Sequence, residues 1–189
     1  DPAGVAIFGP VRLGKVSANM NWSQKSGPQF RGLSQVRGDV QLSQDFVDEF
    51  SIGLPGGSVS GEANGIFNVD LRPGEAPKFS LTSSLSGLGL RIAPIGWSKP
   101  PAAEGQLVVQ GNLGSRPHID LLELSASGLN ASGGQVSFRA NGGLGTAAFS
   151  RVTTGGWLDA PVVLTGRGDG ATPAVALQGG SVDIRKTTL

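Results

Sequence analysis

His118 is the single histidine of the 189-residue chain, which has no cysteine. A catalytic histidine needs a nucleophile or an orienting acid within reach. His118 stands between Pro117 and Ile119 with neither at a suitable spacing, so its position fits a hairpin edge better than a catalytic base. Metal binding lacks a second histidine and an acidic cluster of ligand spacing. Asp120 and Glu123, three apart on a strand, point to opposite faces and make a poor acid/base pair. Asp45, Asp48 and Glu49 read as the wet side of a short helix. The Gly-rich run Gly166-Arg167-Gly168-Asp169-Gly170 lacks the Lys-Ser/Thr ending of a phosphate loop and reads as a turn. Its Arg-Gly-Asp tripeptide is too short to argue adhesion. These residues point away from an enzyme and imply no cofactor and no metal. What remains is the chemistry of apolar contact.

The composition sets the outer limits. Thirty-one glycines and 12 prolines imply many turns, while the 38% hydrophobic residues and a net charge of +1 argue for a folded chain and against disorder. Near-neutral charge without a Lys/Arg run gives no counterion-release drive, so nucleic acid is not an expected partner. No run of eighteen apolar residues is present, and the opening Asp1-Pro2 suggests a segment cut from a longer chain.

The elements that place side chains are strands. From Val59 to Leu71 the odd positions Val59, Gly61, Ala63, Gly65, Phe67, Val69 and Leu71 are apolar or small. The even ones are polar except Ile66. This period of two predicts one long strand of roughly 43 Å with a dry and a wet face. Val5 to Phe8 is a short apolar run that Gly9-Pro10 should stop. After Val11 and Leu13 the apolar set shifts at Gly14 to Val16, Ala18, Met20 and Trp22, and a similar shift occurs at Gly87 between Phe79, Leu81, Leu85 and Leu88, Leu90, Ile92. Such flips at glycine predict two β-bulges, devices that bend long strands. Ser43 is a candidate cap for a one- or two-turn helix with Phe46, Val47 and Phe50 on its inner side and Asp45 in its first turn. Pro94 to Pro101 should be a non-strand connection. Further strands are expected over 31–42, 106–113, 119–129, 131–141, 146–152, 162–166, 174–178 and 181–185, with short gaps that make neighbours antiparallel. Trp22 should pack in a strand face, and Trp97 and Trp157 should cap sheet ends.

Two phrases recur. GGSVSGEANGIF from Gly56 matches GGQVSFRANGGL from Gly133, and Pro77-Lys78-Phe79 leading to Ser86-Gly87-Leu88 matches Pro117-His118-Ile119 leading to Ser127-Gly128-Leu129. The offsets suggest a degenerate strand-pair repeat of roughly 40 residues. The fold class that follows is all-β: a long antiparallel, twisted and curved sheet, with at most one short helix, in a single unit over 1–189. No visible helix is long enough to cover the dry face. That face either closes on itself as a dry core or stays an open, taco-like trough. The side chains expected to line it are Phe67, Val69, Leu71, Phe79, Leu81, Leu85, Leu107, Val109, Val136 and Phe138.

Four phrases, taken in order, carry a resemblance: VDEFSIGLPGGSVSG from Val47, GWSKP from Gly96, LSASGLNASG from Leu124 and GGWLDAPVVLTGRGDGATPAVALQGGSVDIR from Gly155. Over roughly residues 31–186 the chain resembles the periplasmic region of bacterial AsmA-like proteins, in particular the large YhdP-like members of Gram-negative bacteria. The resemblance implies an open segment of a repeating β-groove, joined to adjacent groove segments of the same chain. It also implies an inner-membrane anchor outside this stretch and a role in moving phospholipid between the two membranes, in support of the outer-membrane barrier. Acyl chains are the implied partner, and no catalytic residue carries over. Two other classes stay open, a scaffolding β-domain of the envelope without lipid contact and a Gly-rich adhesin or polysaccharide-binding solenoid.

Overall fold

A computed structural model describes residues 4–140, 142–168, 171–183 and 185. Asp1-Pro2, Asp169 and Gly170 of the glycine-rich run, Asn141 at the expected end of a strand and Ile184 within another lie outside the described residues.

The chain is all-β, a large curved antiparallel sheet that does not close into a barrel. Its strands follow one another as hairpins: β1 (Val5–Leu13), β2 (Val16–Gln24) and β3 (Ser34–Leu42); then, after α1 (Gln44–Glu49) and β4 (Val59–Gly61), β5 (Ala63–Leu71) and β6 (Lys78–Ser83). β7 (Leu88–Ile92) and β8 (Trp97–Lys99) intervene before β9 (Gly105–Asn112), β10 (His118–Ala126), β11 (Leu129–Phe138), β12 (Leu144–Thr154), β13 (Leu158–Thr165), β14 (Ala174–Leu177) and β15 (Ser181–Val182). The large sheet has the order β1-β2-β3-β5-β6-β9-β10-β11-β12-β13-β14, with β15 also on β13, and a second sheet has the order β4-β7-β8.

Several sequence expectations are corrected. Gly9-Pro10 does not stop the first strand: β1 runs through both, because proline is tolerated on an edge strand whose outer side pairs with nothing. Gly14 is no bulge but half of the two-residue hairpin turn that sets Leu13 opposite Val16. The stretch 94–101 contains β8, which pairs with β7. The expected long strand from Val59 is two strands in two sheets.

That last break is the structural corner of the molecule. Gly61 has φ +68° and Gly87, across the ribbon, φ +91°. A Cβ on Gly61 would stand 2.4 Å from the Gly87 carbonyl oxygen, and one on Gly87 2.3 Å from that of Glu62. Only glycine at both points lets the strands cross so closely in this left-handed conformation. Glu62 N–H donates to the Gly87 oxygen at 3.1 Å, and beyond it the ribbon leaves the large sheet as β4 and β7. Gly87 is therefore a corner, not a bulge in a continuous strand.

α1 forms as expected. The Ser43 hydroxyl accepts from Phe46 N–H at 3.4 Å, Asp45 stands in the first turn, and Val47 is buried. Together with the small sheet it covers one end of the concave face. Val47, Val59, Leu85 and Leu88 join Val16, Val40, Leu42, Leu81 and Val109 in one core. Trp97 joins Leu129, Val152, Leu158, Ala160 and Val162 in a second. Trp97 also donates its Nε1–H to the Ser127 oxygen at 2.9 Å, tying β8 to the β10–β11 turn.

The shorter repeat has a structural counterpart. Lys78 and His118 each begin a strand after a proline, Gly87 and Gly128 each hold a turn at positive φ, and Leu88 and Leu129 each start the next strand buried. The longer phrase does not: Ala63, Asn64 and Gly65 lie inside β5, whereas Ala140 and Gly142 belong to the turn after β11.

Candidate functional site

Residues directly opposite in an antiparallel pair share a face, so following partners from strand to strand traces what the sheet presents. One such line runs Ile7, Trp22, Val36, Val69, Phe79, Gly111, Ile119, Val136, Ala147, Leu164, Val175. It crosses all eleven strands without a polar side chain. At about 4.8 Å per strand it extends roughly 48 Å. A parallel line, Met20, Gly38, Phe67, Leu81, Val109, Leu122, Gly134, flanks it towards the covered end. The strands alternate because each second residue faces water: Asn19, Asn21, Arg37, Asn68 and Gln110 stand on the convex side, where Asn19 Nδ2 donates to Asp39 and Gln35 Nε2 to Asp70.

Nine of the ten side chains singled out from the sequence lie on β5, β6, β9 and β11. Val69, Phe79 and Val136 share the first line, and Phe67, Leu81 and Val109 the second. Leu107 lies nearer the covered end, opposite Ser83, while Leu71 and Phe138 lie at the uncovered end, opposite Ser34 and Leu144. Phe67, Val69, Leu71, Phe79, Leu107 and Phe138 are half-buried, Phe67, Phe79 and Leu107 against the first core; Leu81 and Val109 are buried within that core, and Val136 is buried as well. Leu85 departs from the expectation: it sits off the strands in the corner, 1% exposed, enclosed by protein on every side. Sequence alternation had marked Trp22 and Val36 as apolar-face residues, but only the register shows that they continue the lining.

Both ends of the first line are open. Ile7 on β1 is 64% exposed and Val175 on β14 51% exposed. Each lies on a strand that pairs on one side only among the described residues, so the apolar surface stops at two sheet edges.

The polar residues weighed in the sequence lie at separate places. His118 Nδ1 is 3.1 Å from the Arg116 oxygen and Nε2 is 3.2 Å from Asp120 Oδ1, at an exposed strand start. Asp120 and Glu123 are both exposed, with a register irregularity on β10 between Ile119 and Leu121. Among the described residues no three His, Asp or Glu side chains gather as a metal site would require. A cleft of about 490 Å³ lies at the other end of the strands, against Asn130, Thr153, Trp157, Asp159 and Ser181. Near it, Arg151 Nε donates to Asp159 Oδ1 at 2.7 Å and Nη2 to Oδ2 at 2.6 Å. The hydrogen bonds from Arg151 hold the Asp159 carboxyl below its ordinary pKa of 3.8. We expect Asp159 to titrate below the usual aspartate range in NMR and to return to it in Arg151→Gln. Because the pair is exposed, the midpoint of thermal unfolding should hardly change.

The corner carries the one buried charged side chain among the described residues. Lys99 is 4% exposed, and its Nζ donates to the Leu85 and Leu88 oxygens at 2.7 Å each and to the Pro100 oxygen at 3.4 Å. Desolvation lowers its pKa from the ordinary 10.5. Nothing in the sequence marks this lysine, since its role depends on carbonyls brought together by the corner.

No family model, no curated protein and no solved structure matches the chain. Among the described residues no helix is long and apolar enough to cross a membrane.

Proposed function

We propose that this chain is a segment of a periplasmic, AsmA-like β-groove that shields phospholipid acyl chains on their way between the inner and outer membranes. The full-length protein is held in the inner membrane by an anchor outside the segment. Adjacent segments of the same chain extend the sheet at the open edges of β1 and β14. The role is non-catalytic and contributes to envelope integrity.

One observation supports this reading above the others, the apolar line that crosses from edge to edge. An acyl chain in water forgoes about 0.8 kcal/mol of favourable burial per methylene. A continuous apolar surface removes most of that cost along the path, and its non-directional contacts hold lipid without a deep minimum. The resemblance of the four sequence phrases points the same way.

The test is native mass spectrometry of the purified protein. We expect co-purified phospholipid in the wild type and its loss in Phe138→Asp, a half-buried position outside both core clusters. Phe67→Asp should act likewise but at a cost in stability, because Phe67 packs against the first core. Correctly folded Phe138→Asp that retains its lipid would refute the assignment.

A scaffolding role without lipid contact draws on a separate observation: α1, β4, β7 and β8 fill the concave face at one end with the protein's own side chains. It predicts no bound lipid in the wild type.

A further inference from the structure

Hairpin topology sorts the connections of the large sheet to its two ends. At the uncovered end, near Leu71 and Phe138, lie the loops 25–33, 72–77, 113–117, 139–143 and 166–173. Each carries an arginine, namely Arg31, Arg72, Arg116, Arg139 and Arg167, and Lys25 adds a sixth cation. By sequence the same loops carry two acids, Glu75 and Asp169, the second outside the described residues. None of the five guanidinium groups forms an ion pair among the described residues. Four are exposed and Arg139 is half-buried. Arg139 Nη2 lies 2.8 Å from where a Gly166 Cβ would stand, so its guanidinium reaches the loop that bears Arg167. Successive loops are two strands apart, roughly 10 Å. The connections at the opposite end are led by acids, with Asp45, Asp48 and Glu49 on α1.

A positive rim beside a half-buried apolar face has the polarity of one kind of guest, an anionic head on an apolar tail. Guanidinium groups match phosphate oxygens in geometry and charge. We propose that the arginine rim binds the phosphate head groups of anionic phospholipids whose acyl chains lie on the concave face. This rests on the groove reading above and adds to it a head-group preference and an orientation, heads at the rim and tails across the strands.

Lysophosphatidylglycerol and lysophosphatidylcholine with brominated acyl chains, both below micelle-forming concentration, test it. Trp22 lies on the apolar line, so bromine quenching of its fluorescence reports the tail, with Trp157→Phe as background to remove the signal from the far end, while Trp97, buried in the second core, adds a constant signal. At low salt the phosphatidylglycerol probe should bind about tenfold more tightly, and the preference should fade as salt rises. In the variant Arg31→Gln/Arg72→Gln/Arg116→Gln/Arg139→Gln/Arg167→Gln the two probes should bind equally while both still quench Trp22. Equal binding by the wild type, or a preference that survives in the variant, overturns the rim assignment and leaves the groove reading standing. Absence of quenching by either probe overturns the groove reading itself. Inorganic phosphate that binds the rim while lysophosphatidylglycerol does not would mark a free-anion site and refute the head-group assignment. Should the fivefold variant fail to fold, Arg116→Gln/Arg139→Gln and the wild-type salt titration read the same preference.

Discussion

Leu85→Ala will lower the free energy of unfolding by about 3 kcal/mol in guanidinium denaturation, more than any other single truncation in the corner. Leu85 is the largest fully buried side chain, and it stands at φ +55°, a conformation that costs a non-glycine residue on the order of 1 kcal/mol. Burial and backbone strain therefore oppose each other at one residue. Alanine loses the burial and keeps the strain; glycine loses both. We expect Leu85→Gly to recover part of the alanine loss, the reverse of the usual order for these two residues. Hydrogen exchange should show the amides of β7 and β8 opening first in either variant, because Leu85, Leu88 and Lys99 hold the small sheet down. Equal stability of wild type and Leu85→Ala would show that the corner does not hold that sheet.

Lys99→Met has the second-largest expected effect, a loss of about 2 kcal/mol. Methionine is close to the lysine stem in length and apolar character but cannot donate to the Leu85 and Leu88 oxygens, which the ammonium meets at 2.7 Å. The Leu85 oxygen also accepts from Leu88 N–H at 3.2 Å, so the carbonyl of Leu88 bears most of the loss. The pH dependence has a definite sign. With the folded pKa below the ordinary 10.5, the unfolded chain binds more protons in the interval between the two values. Stability of the wild type should therefore rise with pH through that interval and be lower, and flat with respect to this group, beneath it. The Lys99→Met variant should lack that rise. A wild-type profile that falls as pH approaches 10.5 from below would mean that the carbonyls, not desolvation, dominate at this site.

Both variants act on the wall that closes one end of the concave face, not on the apolar line at its open part. They consequently separate two uses of the same chemistry. Truncation in the corner should loosen the small sheet, while Phe138→Asp changes a side chain outside both core clusters and should leave the corner intact. The arginine rim is a third, independent element, because exposed charges on loops contribute little to folding. Stability, tail contact and head-group preference can thus be read by separate variants.

Alternation of side chains was enough to read the all-β class, the dry and wet faces and the placement on strands of nine of the ten apolar side chains singled out, because a strand's period of two is a property of the local backbone. The Ser43 cap and its short helix were legible for the same reason: a capping hydroxyl acts within three residues. Where two glycines changed the backbone, local reading gave the wrong element. Gly61 looked like one more small residue in an apolar series, and only its crossing with Gly87 shows that the chain leaves one sheet for another. Leu85 kept the alternation of its neighbours and was placed with them, yet it lies beyond the end of β6. Register was equally out of reach, since hydrogen bonds between strands 10 to 40 residues apart decide which apolar residues form a line. The sequence by itself therefore determined which side chains are apolar and which way each faces along its own strand. Tertiary structure alone decided which of them meet, which are sealed beneath the small sheet, and that five arginines scattered over 137 positions share one rim. The physical reason is that a side chain's direction is set by its own φ and ψ, whereas its neighbours are set by contacts made at long range.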